Sequence, residues 1–332
     1  MNMPNQHIAP GDLWVLPQAA LEDLPISYHR VLEVVEQAYK ALRDGDSQNP
    51  LKTIVEPRDR HSISYSMVGR DGASNTVGFK VVYEHDPQRS RDAYQFHSFI
   101  FLCDDLTGRP IALMDVVKLG PLRTSATSAL FARAACPDAR TALVVGTGVQ
   151  GQIALPMLLS ALPRLERLCV YGHYAEGLKA VRENLKRHYP DRDVEVVEDL
   201  AKAASEADII LGVAGLSARE QVRHAWLKPG AVAVLVGYGV DADVLHGADY
   251  RITTDIPQMH VTCTDLAKPD GSLPAVDAEL PDILLGRAPA RRNARDIVFA
   301  YNSGMVVTDV ALGRLMAELA LAKNRGQRVK LW

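Results

Sequence analysis

From Ser27 to Asp46 the apolar residues Val31, Val34, Val35, Ala38, Tyr39 and Leu42 recur at helical spacing. They predict one amphipathic helix with Ser27 as its N-cap and Gly45 as its stop. Only a short strand or loop is expected before it. Between residues 61 and 117 the rhythm changes to short β-type runs, HSISYSMV, TVGFKVVYE, FHSFIFLCD and PIALMDVV, set apart by Gly, Pro and Asp. DDLTGRP reads as a hairpin connector. The stretch GPLRTSATSALFARA, residues 120–134, is small and apolar throughout and predicts a buried helix carrying an arginine near its start.

From about residue 140 short, fully apolar strands alternate with helices, from RTALVVG through RLCVYG, DIILGVA and AVAVLVG to YRITTD. That alternation predicts a parallel sheet covered on both faces. Residues 264–296, rich in Pro, Asp and Arg, predict a surface loop with one short helix at 278–286. MVVTDVALGRLMAELALAKNR, residues 305–325, predicts a long apolar closing helix. The expected fold class is α/β, a doubly wound parallel-sheet domain of the Rossmann type over residues 121–302. It is joined to a mixed α+β domain made of residues 1–120 and 303–332.

Composition narrows the partners. The chain has 332 residues, 47% of them hydrophobic, and a formal net charge of −3, enough for two domains with sizeable cores. Both signs of charge are interspersed, so neither nucleic acid nor a membrane surface is an expected partner. The beginning of the chain lacks the basic-then-apolar pattern of a secretory signal, and no apolar run reaches membrane-span length, so a cytoplasmic location is expected. Cys103, Cys136, Cys169 and Cys263 are widely spaced in apolar settings and read as buried thiols, not as a disulfide or zinc framework.

ALVVGTGVQGQIA places Gly146, Gly148 and Gly151 as G-x-G-x-x-G between an apolar strand and a helix. In that context the motif predicts a dinucleotide site, with Val149 and Gln150 at the helix start beside the pyrophosphate. Gly146 allows the tight turn, Gly148 the approach of phosphate to backbone, and Gly151 the packing of helix on sheet. The next strand ends in Gly172, where an acidic residue would bind an adenosine ribose. With His173, Lys179 and Arg182 following, the NAD(P)(H) site leans toward NADP(H); the alternative is that these cations form a solvated helix face.

GFKVVYE, LGPLRTSATSA, VVGTGVQG and NSGMVVTDVA, in that order and spacing, resemble the ornithine cyclodeaminase and mu-crystallin family over nearly the whole chain. NPLKT and the ending AKNRGQRVKLW resemble its opine-like, diaminopropionate-forming dehydrogenases. The resemblance implies a homodimeric NAD(P)-dependent enzyme acting on the carbon–nitrogen bond of an amino or imino acid, with the first-domain strands as the dimer interface. It implies that Arg123 binds a substrate carboxylate, that Lys80 acts as acid or base at nitrogen, and that Lys52 adds a further cation, with a plain surface lysine as the alternative reading of Lys52. A lysine beside two other cations is expected to lose its proton more readily than usual.

Further candidates are Thr124 beside the arginine for a cofactor phosphate, and Gly237 and Tyr238 at the nicotinamide. His97 is a possible substrate contact on its strand, and His85 a second acid or base. Asp309 has two readings, orienting a lysine or capping the last helix. His85 and His97 flank a loop carrying Arg89 and Arg91 and do not have metal-ligand spacing, so no metal is expected. Cyclodeaminases carry an acidic residue where this chain has Gly239, and Asp241 reads as a helix cap, which disfavours redox-neutral ring closure. Ketimine reduction, and a ligand-binding protein that retains a coenzyme, stay open as alternatives.

Overall fold

The computed structural model describes residues 11–59, 61–85, 96–215 and 218–331; Arg89 and Arg91 lie outside them. In chain order the elements are β1 Asp12–Leu16, α1 Gln18–Leu21, α2 Tyr28–Arg43, β2 Thr53–Val55, β3 Ser62–Asp71, β4 Thr76–His85, β5 Phe96–Asp104 and β6 Pro110–Asp115. They continue with α3 Leu119–Ala135, β7 Thr141–Val145, α4 Val149–Ala161, β8 Arg167–Tyr171, α5 Ala175–His188, β9 Glu195–Val196, α6 Leu200–Glu206, β10 Ile209–Gly212 and β11 Val232–Leu235. Last come α7 Ala242–Gly247, β12 Tyr250–Thr253, α8 Ile256–Thr262, β13 Ala278–Glu279, α9 Leu280–Leu284, β14 Val298–Tyr301, α10 Val306–Ala322 and β15 Gln327–Lys330. The chain divides into two compact units. One comprises the chain up to Ile26, Gln37–Gly120 and Met305 onward; the other comprises Ser27–Glu36 and Pro121–Gly304.

The first unit is a seven-stranded sheet in the order β15-β1-β6-β5-β4-β3-β2. All its pairs are antiparallel except β1 with β6. Alternation along β4 and β5 sends Gly78, Lys80 and Val82, and Ser98, Ile100 and Leu102, to one face. That face is covered by α10, whose all-round apolar sequence marks a buried helix. Two cross-strand partners, Gly69 and Gly78, let the helix come close: a Cβ on Gly78 would stand 2.5 Å from Val310 Cγ2, and one on Gly69 2.8 Å from Val306 Cγ1. The NPLKT segment serves this docking too, because Asn49 Oδ1 accepts the Val307 N–H at 2.9 Å and so satisfies an orphan donor of the helix start. The other face of the sheet exposes Val68, Phe79, Tyr83 and Phe99.

The second unit is an eight-stranded parallel sheet, order β13-β12-β14-β11-β10-β7-β8-β9, with helices on both faces. β14, central in that order, was not expected from the sequence, nor were the edge strands β2 and β15. The predicted N-cap of α2 is present, the Arg30 N–H reaching Ser27 Oγ at 3.1 Å. The first turns of α2 belong to this unit: Tyr28 Oη accepts from Asn184 Nδ2, and Glu36 pairs with Arg133 at 2.6 Å. Asn184 also donates to Gln152 O at 2.8 Å, the carbonyl that Pro156 inside α4 leaves without a helical partner.

Candidate active site

The turn between β7 and α4 has the geometry that its glycines predict. Gly146 has φ +118°, a Cβ there would lie 2.6 Å from Ala214 N, and a Cβ on Gly151 would collide with the Gly146 carbonyl oxygen. Gly148 faces open space, which leaves room for a phosphate against the first amides of α4 at Val149 and Gln150. Gln150 Oε1 accepts from Ser125 Oγ at 3.2 Å, tying the start of α4 to α3.

The end of β8 gives Gly172 a steric reason. A Cβ there would stand 2.7 Å from Thr147 Cγ2, and one on Gly177 2.5 Å from Thr147 Oγ1, so the threonine of the glycine loop fills the space where an acidic side chain would sit. The glycine therefore carries no information about a 2′-phosphate. Lys179 faces Glu183 at 4.0 Å on the exposed side of α5. His173 Nε2 lies 3.1 Å from Tyr171 Oη, which donates to Glu220 Oε2 at 2.7 Å. Burial, then the Glu220 carboxylate, pushes the Tyr171 hydroxyl up to about 12.

Arg123 is the fifth residue of α3 and is half-buried. Its guanidinium packs on Gly304, where a Cβ would be 2.8 Å from Nη1. Asn302, unnoticed in the sequence, fixes this turn: its Nδ2 donates to Thr124 O and to Ser128 Oγ, both at 3.0 Å. Thr127 Oγ1 donates to Arg123 O. Thr124 is buried in that clamp. Gly237 and Tyr238 lie just beyond β11, and Tyr238 exchanges backbone hydrogen bonds with Ala214. Gly239 has φ +110° and a Cβ there would be 2.9 Å from Val145 Cγ1, so this position has no room for the acidic side chain of a cyclodeaminase. Asp241 caps α7 by accepting from Asp243 N at 2.9 Å.

In the first unit, Lys80 Nζ donates to Asp309 Oδ1 at 2.8 Å, the two side chains being 6% and 1% exposed. The last helix is entered through Met305 with no side-chain cap, so Asp309 orients the lysine and does not cap the helix. The partner carboxylate stabilises the ammonium, a contribution that the expectation of a readily deprotonated lysine left out. Lys52 Nζ sits 5.2 Å from the centre of the Tyr65 ring. Tyr65 and Glu84 lie on the same strand face as Lys80, and burial raises the Glu84 carboxyl while Lys52 lowers it. Glu84 was missed in the sequence. His85 and His97 fall on the opposite face of the sheet, His97 in register with Tyr83, and the fold does not bring either of them to Lys80 within this unit. No group of three metal-ligating side chains occurs among the described residues.

The model of the ornithine cyclodeaminase/mu-crystallin family matches residues 15–324, and the chain belongs to that family. It is 25% identical over 317 residues to the nodulation efficiency protein NfeD of Rhizobium meliloti, covering 94% of this chain and 96% of that one. It is 23% identical over 313 residues to N-((2S)-2-amino-2-carboxyethyl)-L-glutamate dehydrogenase of Staphylococcus aureus, covering 91% and 93%. In fold it is similar to an archaeal alanine dehydrogenase dimer with bound NAD, at a TM-score of 0.81 and 20% identity, covering 97% of this chain and 100% of that one.

Proposed function

We propose that this chain is an NAD(H)-dependent oxidoreductase of the carbon–nitrogen bond, moving hydride between the nicotinamide and Cα of an amino acid or an N-substituted, opine-like amino acid by way of an imine. The observation that carries the reading is the buried Lys80–Asp309 pair, an ammonium held in one place by a carboxylate, on the strand face of Tyr65, whose ring Lys52 overlies. A lysine kept only for packing needs no such partner, because an apolar side chain would fill the space at less cost.

Arg123 grips the substrate carboxylate with its planar fork, and its backbone clamp through Asn302 and Thr127 fixes the direction of the grip. Bound coenzyme would supply the hydride donor or acceptor. In the reducing direction Lys80 gives a proton to the nitrogen as the carbon gains hydride; in the oxidising direction it takes that proton back, and water then splits the imine into an amine and a 2-oxo acid. Lys52 supplements the carboxylate grip or meets a second carboxylate of an opine-like substrate. Gly146, Gly148, Val149, Gln150 and Gly151 hold the pyrophosphate, with Thr124 beside a cofactor phosphate, Gly237 and Tyr238 toward the nicotinamide and Gly172 and His173 toward the adenosine. The lean to NADP(H) rests on Gly172 with His173, Lys179 and Arg182; Thr147 gives Gly172 a steric reason, and Lys179 faces Glu183, so NAD(H) is the coenzyme taken here. The second unit is thus the coenzyme domain and the first the substrate and dimerisation domain.

The exposed face carrying Val68, Phe79, Tyr83 and Phe99 fits a homodimer interface, since a patch of this kind on a sheet is normally covered. Four thiols without disulfide partners fit a reducing cytoplasm. Among the described residues no helix is long and apolar enough to cross a membrane.

The test follows nicotinamide absorbance in both directions against α-amino acids, opine-type secondary amines, and 2-oxo acids paired with amines. Net turnover with wild type, and its loss in Lys80→Met with NADH binding retained, is the expected result. No net turnover with any pair, while NADH binds, would refute it.

A further inference from the structure

At the adenosine end of a doubly wound site, the group that distinguishes a ribose hydroxyl from a 2′-phosphate normally sits at the end of the second strand, here β8. Thr147 closes that position to any side chain at residue 172, so the chain must select by another route or not at all. A carboxylate nevertheless reaches the end of β8. Glu220, from the loop that follows β10, accepts a 2.7 Å hydrogen bond from Tyr171 Oη, and Tyr171 is the last residue of β8, its carbonyl accepting from Gly146 N of the glycine loop at 2.9 Å.

The loop that carries Glu220 is anchored on both sides. Ala214 exchanges two backbone hydrogen bonds with Tyr238, Val222 N donates to Gly239 O, and Asp241 N donates to Val222 O. The side chains nearby are His173, 3.1 Å from the same hydroxyl, and the guanidinium of Arg219, the preceding residue. An exposed carboxylate held in such company by a buried tyrosine has no packing role to account for it.

We infer that Glu220, positioned by Tyr171, supplies the carboxylate that β8 lacks and makes the adenosine pocket select NAD(H) against NADP(H). Its charge repels a 2′-phosphate and leaves an acceptor for a 2′-hydroxyl, and it offsets the guanidinium of Arg219 that would otherwise attract the phosphate. The inference rests on the dinucleotide reading of the glycine loop.

Calorimetric titration with NADH and NADPH tests it without turnover. Wild type is expected to bind NADH at least tenfold more tightly than NADPH. Glu220→Gln is expected to narrow that ratio about tenfold, mainly through tighter NADPH binding, with Glu220→Asp keeping the preference and Tyr171→Phe weakening it. A ratio unchanged in Glu220→Gln, or a wild type that prefers NADPH, would overturn the inference. If wild type bound neither coenzyme, the dinucleotide reading would fall, and this inference with it; if NADH binds and only the ratio stays fixed, the inference alone fails.

Discussion

Breaking the Lys80–Asp309 pair separates what it does for stability from what it does for chemistry. At 2.8 Å and an effective dielectric of about 20, the attraction is roughly 6 kcal/mol. Burying each ion costs several kcal/mol, so the pair as a unit contributes little net stability. Removing one partner is different. Asp309→Leu strands an ammonium in a face covered by α10, at an expected cost of about 3–5 kcal/mol, and Lys80→Met strands the carboxylate at a similar cost. The double variant Lys80→Met/Asp309→Leu removes both charges and should recover most of the loss, with a coupling energy of at least about 2 kcal/mol in urea unfolding. It should also bind NADH and show no turnover. Loss of the carboxylate disfavours the ammonium, so Asp309→Asn should move the lysine limb of the pH–rate profile toward acid. Single-variant effects that add to within about 0.5 kcal/mol of the double would refute the pairing argument, and a double variant that still turned over would remove Lys80 from the chemistry.

Other consequences can be checked separately. Gly78→Ala drives a methyl toward Val310 and should cost about 1–3 kcal/mol in thermal unfolding, with Val310→Ala restoring part of it. Gly151→Ala forces the first turn of α4 from the Gly146 carbonyl and should abolish measurable NADH binding by calorimetry. Burial raises the Asp208 carboxyl, but the Lys228 ammonium and the amides of Arg140 and Thr141 outweigh it and hold it below the ordinary range. Its folded value is the lower one, so its stabilisation is full above the unfolded value of about 3.9 and lost as pH falls through the folded one. Asp208→Asn should therefore cost stability near neutrality and flatten the acid limb of unfolding. If the chain forms the proposed homodimer, Phe79→Glu should convert it to monomer in sedimentation, and an unchanged mass would count against the sheet face as interface.

Local pattern carried much of the architecture. The glycine loop, the parallel strands and α10 were legible because their signals lie within a few residues of each other. β14 was hidden: VFAY is separated from the polar RRNARD by Ile297 alone, and a run of five apolar residues is too short to show a period. β15 is exposed along its whole length, so it has no buried face to write into the sequence. For His97 the strand pattern was ambiguous, because FHSFIF is rich in apolar residues at both parities and only its register with β4 decides the face. Arg123 and Lys80 entered through a family resemblance, whereas Asn302 and Glu220 act through partners 178 and 49 residues away. Such pairings are made by topology; the one local hint was a polar NS directly after an apolar strand.

Because β1 pairs with β15 and Asp309 comes from α10, the first unit takes in segments both before and after the long stretch Pro121–Gly304 that, with Ser27–Glu36, makes the second. During synthesis the glycine loop and its sheet are complete before the partner of Lys80 has been made. A chain stopped just before Met305 would hold the glycine loop and lack the carboxylate that pairs with Lys80. On the proposed mechanism, reactivity is thereby reserved for chains whose last helix has been translated and docked.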